Sequence, residues 1–435
     1  MEANKLIEIL HSYNRFWATG GVEAGIPREV LERCARELNQ KEILLLKGVR
    51  RSGKSTLMAQ MIRTLLEKGK KPHQLLRVNL EEPLFAAEYS LELLEQIYRV
   101  YREKICPSGK CYLFLDEIQN IPEWERWVRG RSETENLKII ITGSSSRLLS
   151  REVGAKLTGR HVSFEIFPLS FSEFLRFKGV TVGSKTDYFE RKSVIRNLFA
   201  EYRQYGGFPE VVLRKEPEDK ELLLKQYFED ILHRDVVSRN EIRDTLTLQN
   251  LATYLMTTIG RLTSNTNLKR NFAVSQDKVE NYTSALLESF LIYRLPKFET
   301  SLKKSLRARF KPYAIDTGLR NRVAFTFSED SGWLAENIVL NHLRRRHEQI
   351  YYGSNGGEID FLVKEGLRIV QSIQVWQADA SETMIPAREL AAFESRSRSA
   401  NPGECFLITN DLERMEKVGK KEIRCVPLVL FLLGL

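Results

Sequence analysis

The stretch Gly48-Val-Arg-Arg-Ser-Gly-Lys54-Ser55 constrains this chain more than any other, because it fits the spacing G-x-x-x-x-G-K-[ST] between two readable elements. Before it, Glu42-Ile-Leu-Leu-Leu-Lys47 is short, apolar and bounded like a buried strand. After it, Thr56-Leu-Met-Ala-Gln-Met-Ile-Arg-Thr-Leu-Leu-Glu67 repeats its apolar residues at helical spacing. A glycine-rich turn from strand into helix aims backbone N–H groups and the positive helix start at phosphate oxygens. The expectation is a nucleoside triphosphate bound by Gly48, Val49, Arg50, Arg51, Ser52, Gly53, Lys54, Ser55 and Thr56. Lys54 is then placed to reach the β- and γ-phosphates, and the Ser55 hydroxyl to ligate Mg²⁺. The loop alone does not choose between ATP and GTP.

The 435 residues allow roughly two to four domains. A content of 42% hydrophobic and 29% charged residues suits folded globular domains, each with its own core. The net charge of +10 permits nucleic-acid contact without requiring it, since Asp and Glu are also plentiful. Cys34, Cys106, Cys111, Cys405 and Cys425 lack zinc-ligand spacing, which predicts reduced structural thiols in a cytosolic protein. The start, Met-Glu-Ala-Asn-Lys, lacks a signal-peptide pattern, and no stretch approaches the ~20 apolar residues of a membrane helix. The expected location is the cytoplasm, with no membrane contact. The apolar end Val426–Leu435 reads as a last buried strand or helix.

Residues 1–40 read as helical. From 41 to about 165, strand-like runs at Ile43–Lys47, Leu75–Leu80, Cys111–Leu115, Lys138–Thr142 and Val162–Ile166 alternate with helical stretches. That alternation predicts an α/β core: a mostly parallel sheet covered by helices on both faces. Residues 170 to about 295 turn helical. Beyond about 310, strands return at Lys311–Ile315, Ile350–Tyr352, Glu358–Val363, Arg368–Val375, Glu404–Ile408 and Arg424–Leu428, a second α/β region.

Tyr112-Leu-Phe-Leu-Asp116-Glu117 is an apolar strand ending in two carboxylates. Beside a phosphate loop, the first can hold Mg²⁺ through water and the second can orient or deprotonate an attacking water. Asp116 is therefore expected as metal ligand and Glu117 as base. The next strand runs into Gly143-Ser-Ser-Ser146, where Ser144 or Thr142 either positions that water or belongs to an ordinary turn with a serine helix cap. Arg160 and Arg234 are candidates for stabilising charge on the transferring phosphoryl group, with a surface ion pair as the competing reading of each.

These motifs resemble those of a prokaryotic group of AAA+-like P-loop ATPases. The resemblance rests on Gly48–Ser55, Leu115-Asp-Glu-Ile-Gln119, Ile141-Thr-Gly-Ser-Ser-Ser146 and Leu157-Thr-Gly-Arg160. It extends through Pro168-Leu-Ser-Phe-Ser-Glu-Phe174, Tyr205-Gly-Gly-Phe-Pro209 and Tyr313-Ala-Ile-Asp-Thr-Gly318. It implies an ATPase core at 1–167, a helical, winged-helix-like region at 168–312 and a nuclease-like C-terminal domain at 313–435. It also implies ATP and Mg²⁺ as ligands, and suggests homo-oligomerisation.

Glu358-Ile-Asp360 and Ile373-Gln-Val-Trp376, with Glu336 upstream, resemble the framework of the PD-(D/E)xK nucleases. That chemistry needs a second acidic ligand and a lysine two positions on. Gln374 and Trp376 stand at those places, so the expectation is a framework without a lysine and without cleavage. Leu268–Tyr282 has the texture of a helix-turn-helix, with Ser275 capping a helix that presents Gln276, Lys278 and Asn281. The strip Lys303-Lys-Ser-Leu-Arg-Ala-Arg-Phe-Lys311 follows at the place of a wing. It reads either as a DNA phosphate contact or as a solvated basic face. Three functions stay open: an ATPase that moves its other domains on DNA or a protein partner, a nucleotide-gated binding switch, and, opposed by Gln374 and Trp376, an ATP-dependent nuclease.

Overall fold

Side chains of β1 (Ile43–Lys47) alternate between two cores, as a central strand's must. Leu44 and Leu46 pack with Leu57, Met58, Met61 and Ile62 of the helix Lys54–Glu67, while Ile43 and Leu45 face a second cluster with Leu94, Ile97 and Leu113. Each such leucine, fully buried, contributes about 1.5–3 kcal/mol. The computed structural model describes residues 2–145, 157, 159–299, 301–325, 331–354, 358–377, 384–394, 403–419 and 421–435. Motif residues Ser146 and Thr158 lie outside that set, as do the side chains of Leu302, Leu306, Arg307, Ser331 and Glu394.

The chain forms two compact units, Met1–Ile166 and Phe167–Leu435. In the first, β2 (Leu75–Asn79), β3 (Cys111–Asp116), β4 (Leu137–Gly143) and β5 (His161–Glu165) join β1 in a five-stranded sheet ordered β2-β3-β4-β1-β5. Every pairing is parallel. Strand hydrogen bonding thus sets the carboxyl ends of β1, β3 and β4 side by side, the end at which open α/β sheets bind ligands.

The second unit carries the helices Thr245–Thr257, Asn265–Phe272 and Gln276–Glu288, then an antiparallel pair, β6 (Ile292–Pro296) and β7 (Phe310–Ala314). Between β6 and β7 the basic strip forms a short helix, Leu302–Arg307, rather than an extended wing, and its last member, Lys311, lies within β7. A six-stranded sheet follows: β8 (Ile350–Gly353), β9 (Ile359–Glu365), β10 (Arg368–Val375), β11 (Glu404–Thr409), β12 (Arg414–Val418) and β13 (Lys421–Pro427), ordered β12-β13-β11-β10-β9-β8. The apolar end is both things expected of it, the close of β13 and the helix Leu428–Leu433.

Three of the sequence motifs meet in this unit as packing. Asp316 accepts the Gly207 N–H at 2.7 Å, and Gly207 in turn accepts the Leu169 N–H at 2.6 Å. A Cβ on Gly318 would come within 2.0 Å of the Tyr205 carbonyl, so only glycine fits there. Burial pushes the Asp316 carboxyl up to about 6 despite those backbone donors. Among the described residues no helix is long and apolar enough to cross a membrane.

Candidate nucleotide site

The loop after β1 turns on Gly48 and Gly53, with φ of 149° and 94°, and on Arg51 at 68°. A Cβ on Gly48 would meet the Ile166 carbonyl oxygen at 2.2 Å. Gly48→Ala therefore needs both a rare backbone angle and a displaced β5 end. It is expected to cost about 1–3 kcal/mol by overpacking, read as a lower thermal midpoint, and to weaken nucleotide binding.

Gly53 opens the helix Lys54–Glu67, so Lys54 and Ser55 stand at its positive end. The Lys54 ammonium donates to the carbonyls of Gly48 and Val49, each at 3.1 Å, and lies 3.7 Å from Glu117 Oε1. Arg50 pairs with Glu81 at 2.6 Å.

Asp116 and Glu117 reach the same place from the end of β3. Thr142, at the end of neighbouring β4, ties them together: its hydroxyl accepts the Glu117 N–H at 2.9 Å and donates to Asp116 Oδ1 at 2.5 Å. Glu117 itself sits at φ 55°, an uncommon angle for a non-glycine residue, which turns its side chain out of the strand register. Gln119 donates to the Glu117 carboxylate, and more weakly, at 3.5 Å, to Ser144 Oγ. Burial opposes ionisation of Glu117. The charge of Lys54, the Gln119 amide, the charge of Arg50 and the Ser144 hydroxyl outweigh it and hold the carboxyl below its ordinary range.

Of the sequence candidates, the structure therefore brings together the loop, Lys54, Asp116, Glu117, Thr142 and Ser144. It does not bring Arg160 there. The Arg160 carbonyl accepts the N–H of Ile43 at the start of β1, the end of the sheet opposite the loop, and its guanidinium pairs with Glu133. Arg234 belongs to the second unit, exposed on the π-helical turn Ile231–Val237.

Sequence reading missed three contributors. Arg77 of β2 lies 3.3 Å from Asp116 Oδ2. Gln60, on the loop's own helix, holds the segment 24–28 through the Ala24 and Ile26 carbonyls and the Arg28 N–H. Arg28 then donates to the Ser52 carbonyl at 2.7 Å, tying that segment to the loop. A buried glutamine inside a helix was the available signal, since such an amide needs partners.

The loop's chemistry fits a triphosphate and its cation. Ser55 and Asp116 are hard oxygen donors suited to Mg²⁺, and the buried Ser52 hydroxyl has no hydrogen-bond partner among the described residues.

In the second unit, Glu336, Glu358, Asp360 and Gln374 also converge; Trp376 keeps the motif's lysine position, and a lysine from another strand, not foreseen from the sequence, joins the cluster. Lys311, from β7, places its ammonium 2.8 Å from Glu358, 3.2 Å from Asp360 and 3.8 Å from Glu336. Its side chain is 2% exposed, so it adds nothing to the basic surface strip. Gln374 accepts the Asp360 N–H and donates to Glu389, while Trp376 is buried in the apolar core of the sheet.

A five-stranded parallel sheet with this loop, these carboxylates and a glycine-held strand end defines a P-loop nucleotide-binding ATPase of AAA+-like type. An AAA domain model matches residues 40–175, and a domain of unknown function (DUF8612) matches residues 196–330. An uncharacterized protein of Haemophilus influenzae is 32% identical over 336 residues, 75% of this chain and 81% of that protein. The uncharacterized protein MJ1544 of Methanocaldococcus jannaschii is 30% identical over 393 residues, 88% of this chain and 85% of its own. The chain belongs to the family of these two proteins. Among solved structures it is similar to the Aeropyrum pernix ORC1 protein in complex with DNA, at TM-score 0.35 and 13% identity over 73% of this chain and 95% of that one. AMPPCP-bound DnaA from Aquifex aeolicus matches at TM-score 0.25 and 16% identity, covering 60% and 86%.

Proposed function

We propose that this protein is an Mg²⁺-dependent ATPase that couples hydrolysis to a conformational change on a nucleic-acid or protein partner. The observation that carries this reading is the convergence of Lys54, Asp116, Glu117 and Thr142 at the carboxyl ends of β1, β3 and β4. Ser55 and Asp116 would hold Mg²⁺, which would neutralise charge on the phosphate oxygens. Lys54 leaves the Gly48 and Val49 carbonyls to contact the β- and γ-phosphates. Glu117, ionised at neutral pH, orients the attacking water and takes its proton, while Thr142 fixes the backbone that carries it. Ser144 and Gln119 keep the carboxylate aimed. An arginine from a neighbouring copy, Arg160 or Arg234, completes the site in an oligomer.

Within the second unit we read 168–312 as helical and winged-helix-like, supported by three helices running into the β6–β7 pair. We read 313–435 as nuclease-like, supported by its mixed sheet and the gathering of Glu336 and Asp360. The experiment on the loop is Lys54→Ala. Losing charge-assisted bonds worth about 1.5–3 kcal/mol each predicts ATP binding weaker by roughly one to two orders of magnitude. Wild-type affinity for a fluorescent ATP analogue in that variant would overturn the reading.

A further inference from the structure

At the far end of the β6–β7 pair an open cavity of about 620 Å³ is lined by Lys297, Lys303, Lys304 and Arg309 over a floor that includes Leu262 and Tyr352. One carboxylate, Glu299, also lines it, and Lys297 holds that at 2.7 Å. Lys303, Lys304 and Arg309 are exposed and make no ion pair among the described residues. Three cations with no ion pair among the described residues thus converge on one concave surface, although surface lysines and arginines ordinarily scatter to keep such repulsion low.

We propose that this cavity binds the phosphodiester backbone of a nucleic acid without reading its bases. Its cations are long side chains from separate segments, three of them exposed, the means by which proteins hold phosphate rather than base edges. Backbone groups at two places beside it are already paired. Thr263 and Phe310 exchange both of their hydrogen bonds at 2.9 Å, and the Phe298 N–H reaches the Tyr352 carbonyl at 2.8 Å. An acidic peptide, which docks through its main chain as well as its charges, finds those groups taken. The assignment names the partner left open in the ATPase reading, and it also revises the sequence strip. Lys311 is withdrawn into the interior, while Lys297, outside the strip, joins the surface.

The test measures binding of fluorescein-labelled single-stranded and double-stranded DNA by anisotropy across a salt series, using the full chain. The pocket variant Lys303→Glu/Lys304→Glu/Arg309→Glu is compared with Lys41→Glu/Lys68→Glu/Lys215→Glu, an equal charge change on exposed lysines that do not line the cavity. The pocket variant is expected to bind at least tenfold more weakly, with the salt slope on duplex reduced by roughly two to three, about 0.9 per lost phosphate contact. The control keeps both affinity and slope, and matching thermal midpoints show that each variant folds. Which strand form binds more tightly identifies the source of the backbone. The proposal is overturned if both triple variants weaken DNA binding equally or if the wild type binds neither DNA. It is equally overturned if polyglutamate displaces DNA as well per charge as unlabelled DNA does, or if pyrophosphate does so at micromolar concentration. ATP-analogue binding, measured alongside, stays at the wild-type level in the pocket variant, whereas Lys54→Ala loses it and keeps DNA. Failure of one reading is therefore visible without failure of the other.

Discussion

Glu117→Gln is expected to bind ATP as the wild type does and to release almost no phosphate, with kcat down by about 10²–10⁴. The substitution keeps the shape of the side chain and leaves the backbone N–H bonded to Thr142, so the turn at φ 55° survives. What it removes is the negative charge that Lys54 faces at 3.7 Å and the carboxylate assigned as base, while Asp116 stays engaged by Thr142 and Arg77. Steady-state phosphate release and analogue binding, measured on one preparation, separate the two effects. Equal turnover in variant and wild type would dismiss Glu117 as the base. The pH profile gives a second check with a definite sign. The carboxyl is held below its ordinary range, so its ionised form is present above that range and is lost only as the pH falls through the lowered value. Turnover of the wild type is thus expected to show no acid limb from Glu117 between pH 6 and 8.

The site reads well from sequence where its parts are local. Strand, loop and first helical turn lie in one continuous stretch, and Asp116 and Glu117 announce themselves as acids ending an apolar run. The parts that escape are those created by adjacency in space. Arg77 reaches Asp116 only because β2 pairs with β3 in parallel register, a fact carried by no local pattern. Likewise β12 is a charged edge strand, Arg-Met-Glu-Lys-Val, whose mostly solvated side chains leave no apolar alternation to find. The basic strip fails differently. Its charges are visible, but β7 inverts the meaning of the last one, since Lys311 begins in the sequence as surface and ends in the structure as interior.

That inversion carries a large expected effect on stability. Lys311→Met is expected to lower the unfolding free energy by about 3–5 kcal/mol, because it leaves the Asp360 carboxylate, packed beside Glu336 in the interior, without its cation. Both carboxylates are buried, and Glu336 is held further by the Tyr313 hydroxyl at 2.7 Å. Removing the opposing charge as well, in Lys311→Met/Asp360→Asn, should recover part of the loss, and a double-mutant cycle by urea titration reads the coupling directly. Burial first, and then the charge of Asp360, push Glu336 up to about 8, against the pull of Lys311. A carboxyl raised on folding contributes stability that is whole below its ordinary value and is lost as the pH rises through the raised one. Wild-type stability should therefore fall between about pH 4.5 and about pH 8, and Glu336→Gln, which keeps an acceptor for Tyr313, should flatten that fall. A Lys311→Met protein as stable as the wild type at pH 7 would mean that the ammonium is not what holds these acids inside.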